Sequence, residues 1–402
     1  MTRLAAFAAI DSGSGFPIAD QGVSDGEFPF LKVSDMNLPG NEIEIKCWNN
    51  SISSSVRDRL RAKAFPANTV IFPKIGAAIA TNKKRLLTVP SCIDNNCMGV
   101  TGDPAHVEPW YLYYLFRTKN LSDFASDSNP PSIRKAAVES WDVRLPSKDE
   151  QRRIVDLLAR AENILRMRRE AEKKANEIIP ALFLDMFGDP ATNPRGWDPA
   201  RIGDLAIRMS DGPFGSNLKS SHYVDSGVRV IRLQNIGVGR FLDSDQAFVS
   251  HEHFAKLQKH KCVPGDVLIG TMGDPNLRAM ILPERISEAL NKADCVQLRC
   301  DPAKATPTFV CWLLNMPGTL SLAAQHVRGI TRSRISMGRL REVNVSVPPL
   351  ELQQRFTGLV ERLDVMQESQ REGAKRADQS FRSLLAGVFG DKCSTRHDAS
   401  GS

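Results

Sequence analysis

The chain has 402 residues, with 53 Lys+Arg against 46 Asp+Glu and a formal net charge of +7. Its 42% hydrophobic and 25% charged residues are ordinary for a globular protein, which excludes a wholly disordered chain, and no run approaches the ~18 apolar residues that span a bilayer. Eight cysteines are too few for a disulfide scaffold, so two to four domains without a membrane span, in the cytoplasm, are the expectation.

The opening MTRLAAFAAIDSGSG is too short in its apolar stretch for a signal peptide. Strands are expected within FPFLKVSDM (28–36) and TVIFPKIG (69–76), followed by the apolar EPWYLYYLFRT (108–118). Cys92 and Cys97 have four residues between them, as do Cys295 and Cys300. Buried thiols near strands are the preferred reading over part of a zinc site. From Pro146 a long helix is expected, ending at Gly188 and kinked by Pro180. Steps of four and three from Ile154 meet Leu158, Ala161, Leu165, Arg168, Glu172, Ala175, Ile179, Leu182 and Met186, the 3.5-residue repeat of a coiled-coil seam. DPATNPRGW (189–197) then marks a boundary. Strands are expected at VRVIRLQNI (228–236), DVLIGTM (266–272) and CVQLRC (295–300), with a helix at TPTFVCWLLN (306–315). A second long helix from Pro348 repeats the seam at Phe356, Val360, Leu363, Gln367, Gln370, Ala374, Ala377, Phe381, Leu384 and Val388. A flexible tail, 392–402, is expected after it.

The two helical segments align without a gap at an offset of 202 residues. Pro146 falls on Pro348, Gln151 on Gln353, Arg153 on Arg355, and Phe187-Gly188-Asp189 on Phe389-Gly390-Asp391. That period is too long for a solenoid. It means two copies of a domain followed by a helix of about 40 residues, each helix reaching roughly 60 Å.

The motifs Leu145-Pro146 with Asp149-Glu150-Gln151-Arg152-Arg153, Val347-Pro348-Pro349-Leu350-Glu351-Leu352-Gln353-Gln354-Arg355, FGDPATNPRGW between the halves and DGPFGSNLKSSHYVDSGVRVIRLQNI carry a resemblance. In this order and duplicated, they resemble the specificity subunits of type I restriction-modification enzymes over essentially the whole chain. The first copy departs at Ser147 and Lys148, where the second has Pro349 and Leu350. The resemblance implies an α+β fold: two similar mixed α/β target-recognition domains (1–145 and 189–347) joined by two long antiparallel coiled-coil helices (146–188 and 348–391), as an internal pseudo-two-fold repeat. It implies a non-catalytic subunit, each domain reading one half of a bipartite double-stranded DNA target. The helices would set the unread spacer and dock two methyltransferase subunits, joined by restriction/translocase subunits. Ile154, Leu158, Leu165, Ile179, Leu182, Phe356, Val360, Leu363, Phe381 and Leu384 are the expected packing positions. No cofactor is expected in this chain; S-adenosylmethionine, ATP and Mg²⁺ are implied for the partners. A protein-interaction scaffold without DNA binding is the alternative.

A DNA reader needs cations for phosphates and base-edge donors for sequence. HVRGITRSRISMGRLR is the richest segment, with Arg328, Arg332 and Arg334 before Arg339 and Arg341; a solvated helix start has the same composition. In the first domain the candidates are Lys74, then Asn82, Lys83, Lys84 and Arg85 on a hairpin or ordinary basic turn, then Arg134 and Lys135. In the second, Ser216, Asn217 and Lys219 sit in a turn suited to phosphate. Gln234 and Asn235 carry adenine-reading amides, though such residues at a strand end are often turn-formers. Because these positions differ between the domains, different half-sites are expected.

Three catalytic motifs are weighed and set aside. Asn129-Pro130-Pro131-Ser132 resembles an amino-methyltransferase motif but has Ser132 at the aromatic position and no Gly-rich cofactor loop before it, so a turn is expected. Asp35 with Glu44-Ile45-Lys46 is a chance-level nuclease pattern, and His251-Glu252-His253 lacks the i, i+4 histidines of a zinc protease. No G-x-x-x-x-G-K-[ST] loop is present.

Overall fold

A computed structural model describes residues 1–273, 275–327 and 333–390. Four helices organise it: α1 (Pro109–Thr118), α2 (Lys148–Phe187), α3 (Pro307–Asn315) and α4 (Leu350–Phe389). The chain forms two compact units, Met1–Arg168 with the chain from Ala374, and Arg169–Gly373. The long helices are therefore not bodies of their own: each contributes one half to either unit. The expected tail 392–402 lies outside the described residues. Among the described residues no helix is long and apolar enough to cross a membrane.

The first unit has two main sheets. In one the order is Ala8–Ser12, Cys97–Gly102, Val70–Pro73, Arg85–Leu87, Glu44–Ile45; in the other it is Ser51–Ile52, Phe28–Leu31, Ser91–Ile93, Ala64–Phe65. The second unit repeats both. Its first sheet runs Ala206–Ser210, Cys295–Cys300, Val267–Gly270, Arg278–Ile281; its second runs Tyr223–Val224, Phe248–Val249, Val228–Ile231, Ala289–Asn291, Lys261–Cys262. Even the parallel pairing is repeated, Phe30 beside Cys92 and Val230 beside Leu290. The turn entering the central strand is conserved in shape, with Asn68 and Gly265 both at positive φ (67° and 84°). Short Asn tolerates that region and Gly adopts it freely.

Two expected strands are shorter than the apolar runs suggested. Both 28–36 and 228–236 leave the sheet after four residues, at Leu31 and Ile231, and turn into 3₁₀ helices. The cause is a side chain: Asp35 Oδ2 accepts from Lys32 N at 2.7 Å, and Asn235 Oδ1 from Arg232 N at 2.9 Å. Such local bonds compete with the ladder and close a turn.

α1 and α3 are buried on all sides, with Tyr111 to Phe116 and Phe309 to Leu314 each at 7% exposure or less. A helix apolar all round belongs inside a core. In the first unit that core also holds Leu158 and Leu165 of α2 and Phe381 of α4, with Ile154 and Leu384 at its edge. In the second it holds Ile179, Phe183 and Phe187 of α2 with Phe356 and Val360 of α4. The buried face of the helices departs from a strict heptad. Leu182 and Leu363 are only partly buried, whereas Phe183, skipped by the 3.5-residue step, is 1% exposed. Ile179, Phe183 and Phe187 follow an i, i+4 line because a straight helix drifts from a strict seven-residue repeat. Phe183 stacks on Phe309 and meets Phe356 edge-on. α2 continues through Pro180 to Phe187. Where the seam turns polar, Gln367 Nε2 donates to Ala175 O at 2.7 Å, and Arg371 donates to Gln367 Oε1 at 3.0 Å. With Phe356 against Phe183 and Gln367 against Ala175, the two helices run antiparallel within this unit.

Candidate nucleic-acid interface

In the first unit the structure brings several predicted cations together. Lys74, just past the strand Val70–Pro73, donates to Ser12 Oγ at 2.9 Å. Lys135 Nζ lies 3.3 Å from the carboxylate of the adjacent Asp11, which also binds Lys63. Burial works to raise the Asp11 carboxyl, but the two lysines together hold it below its ordinary value. Arg134 is exposed beside them.

The Asn82–Arg85 group divides. Asn82 is exposed, yet its Oδ1 accepts from Lys84 Nζ at 2.6 Å and Leu121 N at 2.9 Å. Lys84 is 4% exposed and also donates to Lys119 O at 2.7 Å; burial lowers its amine to about 8. Arg85 is turned inward, giving its Nη groups to Lys84 O and Met36 O. Lys83 binds Asn37. Lys84 and Arg85 therefore brace the connection between two strands and do not form a cationic surface. Reading charge from composition overlooks such internal acceptors.

In the second unit Asn235 is wholly buried, donating to Leu242 O and Asp245 O, so its amide is unavailable to a base. The turn-former reading holds for it, while Gln234 is exposed. Ser216 falls in the 3₁₀ turn Gly215–Asn217; Asn217 and Lys219 are exposed around it. Arg328 and Arg332 lie outside the described residues. Arg334 is described: its guanidinium stacks 5.3 Å over the ring of Phe214, and its Nε lies 2.8 Å from Asp294 Oδ1. Burial raises the nearby Asp211 carboxyl. Neither Phe214 nor Asp294 was legible as a functional position. The only sequence signal was an aromatic within a Gly-rich turn.

Arg334 sits on a framework that occurs twice. Ile335 N donates to Thr271 O at 3.0 Å and Thr271 N to Asp294 O at 2.9 Å. In the first unit Ile133 N donates to Lys74 O and Lys74 N to Asn96 O, both at 2.8 Å. The Asn129–Ser132 motif belongs to this arrangement, with Pro131 O accepting from Gly76 N at 2.8 Å. It is a turn, as its missing aromatic suggested.

The other weighed motifs have structural roles. Asp35 is fully buried, and its Oδ1 accepts from Asn49 N and Nδ2. Lys46 pairs with Glu44 at 3.1 Å, and His253 Nε2 bonds Asn217 O at 2.9 Å. Cys92, Cys97, Cys295 and Cys300 are all buried, with burial pushing the Cys92 thiol to about 11 and Cys300 to about 12. Among the described residues no three His, Cys, Asp or Glu converge as a metal site.

The long helices keep exposed apolar residues away from the cores. On α2 these include Leu157 (46%), Ile164 (50%) and Met167 (51%); on α4 they are Val365 (74%) and Met366 (64%). Ile164 and Met366 are equivalent at the 202-residue offset.

Residues 3–177 match the family model for the type I restriction modification DNA specificity domain. The chain is 22% identical over 282 residues to the type I restriction enzyme MjaIX specificity subunit of Methanocaldococcus jannaschii, an alignment spanning 63% of this chain and 62% of that relative, less than two thirds of its length. Its fold is similar to that of the S subunit of the type I restriction-modification system from M. genitalium, with a TM-score of 0.50 at 15% identity over 97% of this chain and 96% of that one. It is also similar to a chain solved in work on complex assembly and conformational transition of the type I R-M system, with a TM-score of 0.57 at 18% identity over 97% of each. Residues 3–177 thus carry the type I restriction modification DNA specificity domain, and the second unit repeats its architecture.

Proposed function

We propose that this chain supplies the DNA sequence specificity of a type I restriction-modification complex in the cytoplasm, each unit reading one half of an asymmetric bipartite target. The observation that carries the reading is the duplicated backbone framework bearing different side chains in its two copies: Lys74, Asn96 and Ser132 in one, Thr271, Asp294 and Arg334 in the other. Main-chain hydrogen bonds leave the side chains free to differ, so one framework can present different groups in its two copies. Direct readout needs that combination, a constant platform with variable base-edge donors. Lys74, Arg134 and Lys135 in one unit, and Asn217, Lys219 and Gln234 in the other, are the exposed or half-exposed groups available for phosphates and bases.

The helices would hold the unread spacer length and present their apolar stripes to two methyltransferase subunits, one for each copy of the repeat. Methyl transfer from S-adenosylmethionine, and Mg²⁺-dependent ATP hydrolysis with cleavage, would belong to the methyltransferase and restriction/translocase subunits. Single-molecule methylation sequencing of a host expressing this chain with its methyltransferase partner tests the reading. A new split, asymmetric motif is expected; its absence, with both subunits present, overturns the proposal.

A further inference from the structure

The side chain at the centre of the second unit's framework is arranged for one kind of contact. Arg334 bridges to Met272 through its backbone, so its Cα is tied to the end of the strand Val267–Gly270. Its guanidinium plane rests on Phe214, which is itself 45% exposed, and its Nε faces Asp294 Oδ1 at 2.8 Å, too bent for a hydrogen bond. The backbone of Asp294 is held in turn, since its main-chain carbonyl accepts both Thr271 N and Thr271 Oγ1. The two Nη groups carry no hydrogen bond among the described residues, and the side chain is 40% exposed. A guanidinium held over a ring and ion-paired at Nε is restrained in place while its terminal fork stays open to an acceptor.

Charge decides what that fork would meet. Asp294 is in contact with Arg334, and Asp211 is close enough for the guanidinium to act on its ionisation. Two carboxylates around one arginine repel a phosphate dianion or diester approaching the same spot. They oppose the edge of a base, which bears no net charge, far less. Guanine offers two acceptors, N7 and O6, at the spacing of an arginine fork. The first unit provides the internal comparison. Ser132 stands where Arg334 does and Asn96 where Asp294 does, and Phe16 is stacked at 3.8 Å on Phe30 inside its unit. The stack, the fork and the anchoring acid are thus found together in the second unit and are absent from the first as a set.

We infer that Arg334 is a guanine-reading residue of the second unit, with Phe214 and Asp294 as positioning residues; this rests on the DNA-specificity reading above. The test uses the full chain in complex with its methyltransferase subunit, with the methylated motif determined for wild type, Arg334→Lys and Asp294→Asn. Arg334→Lys keeps the charge but not the fork. It is expected to lower discrimination for guanine on the order of 10- to 100-fold at one position of one half-site, leaving the other half-site, the spacer and the salt dependence unchanged. Asp294→Asn is expected to relax the same position to a smaller degree, a readout that a role in folding alone would not give. An unchanged motif in Arg334→Lys overturns the inference. So does a uniform loss across all sequences in either variant, because that outcome marks a phosphate or structural contact. A wild-type complex that methylates no split motif fails in a different place, at the DNA-specificity reading itself.

Discussion

Gln151 and Gln353 make the same three hydrogen bonds in the two units. Gln151 Oε1 accepts from Glu108 N at 2.8 Å, while its Nε2 donates to His106 O and Pro146 O at 3.0 and 2.9 Å. Gln353 Oε1 accepts from Thr306 N at 2.9 Å, and its Nε2 donates to Lys304 O and Pro348 O at 3.1 and 2.9 Å. Both side chains are fully buried. Each glutamine thus ties the first turn of a long helix to the backbone just before the buried helix α1 or α3. The motif repeated in the sequence is a joint between the globular part of each unit and its long helix.

Replacing either glutamine by alanine leaves buried backbone groups without partners. A loss of about 2–4 kcal/mol in stability is expected for each. Hydrogen exchange should show the loss of protection centred on Pro109–Thr118 for Gln151→Ala and on Pro307–Asn315 for Gln353→Ala. Equal effects on both helices from one substitution would contradict this local assignment.

Phe183 and Leu182 are neighbours with opposite fates. Phe183→Ala removes a ring in contact with Phe187, Phe309 and Phe356 and should cost about 3–5 kcal/mol. Leu182→Ala, at a partly buried position, should cost distinctly less. Urea unfolding of the two variants gives the comparison, and a larger cost for Leu182→Ala would restore the strict heptad seam.

Lys84 makes an alkaline signature. Burial, aided by Arg117, lowers its amine to about 8, whereas an unfolded lysine titrates near ~10.4. Below pH 8 both states are charged and the cost of burying the ion is fully present. Between about 8 and 10.4 the unfolded state binds more protons, so the contribution of Lys84 to stability rises with pH. Wild-type stability minus that of Lys84→Met should therefore climb across this window. A difference that is flat or falling would refute the burial of a charged amine.

The exposed stripes on the helices give a test of subunit docking. Ile164→Glu and Met366→Glu place charges on solvent-facing positions, so the isolated fold should change by less than about 0.5 kcal/mol. Each should weaken capture of the methyltransferase subunit in co-purification, and the double variant should weaken it further. Full capture by the double variant would remove these faces from the interface.

The sequence by itself determined the duplication, the two long helices and the equivalence of Gln151 and Gln353, because a 202-residue offset and a helical repeat are written in order along one chain. It also made Asn235 suspect as a turn-former and the Asn129–Ser132 motif suspect as a turn. Tertiary structure alone decided which charges face water. Lys84 and Arg85 read as a basic cluster until the carbonyls of Lys119 and Met36, distant in sequence, arrive as their acceptors. The same holds for Arg334, whose anchoring acid is 40 positions earlier and whose stacking ring is 120 positions earlier. Local pattern specifies elements, since backbone propensity and periodicity act over a few residues. The availability of a side chain is set by contacts between residues far apart in sequence, and those exist only once the sheets have closed.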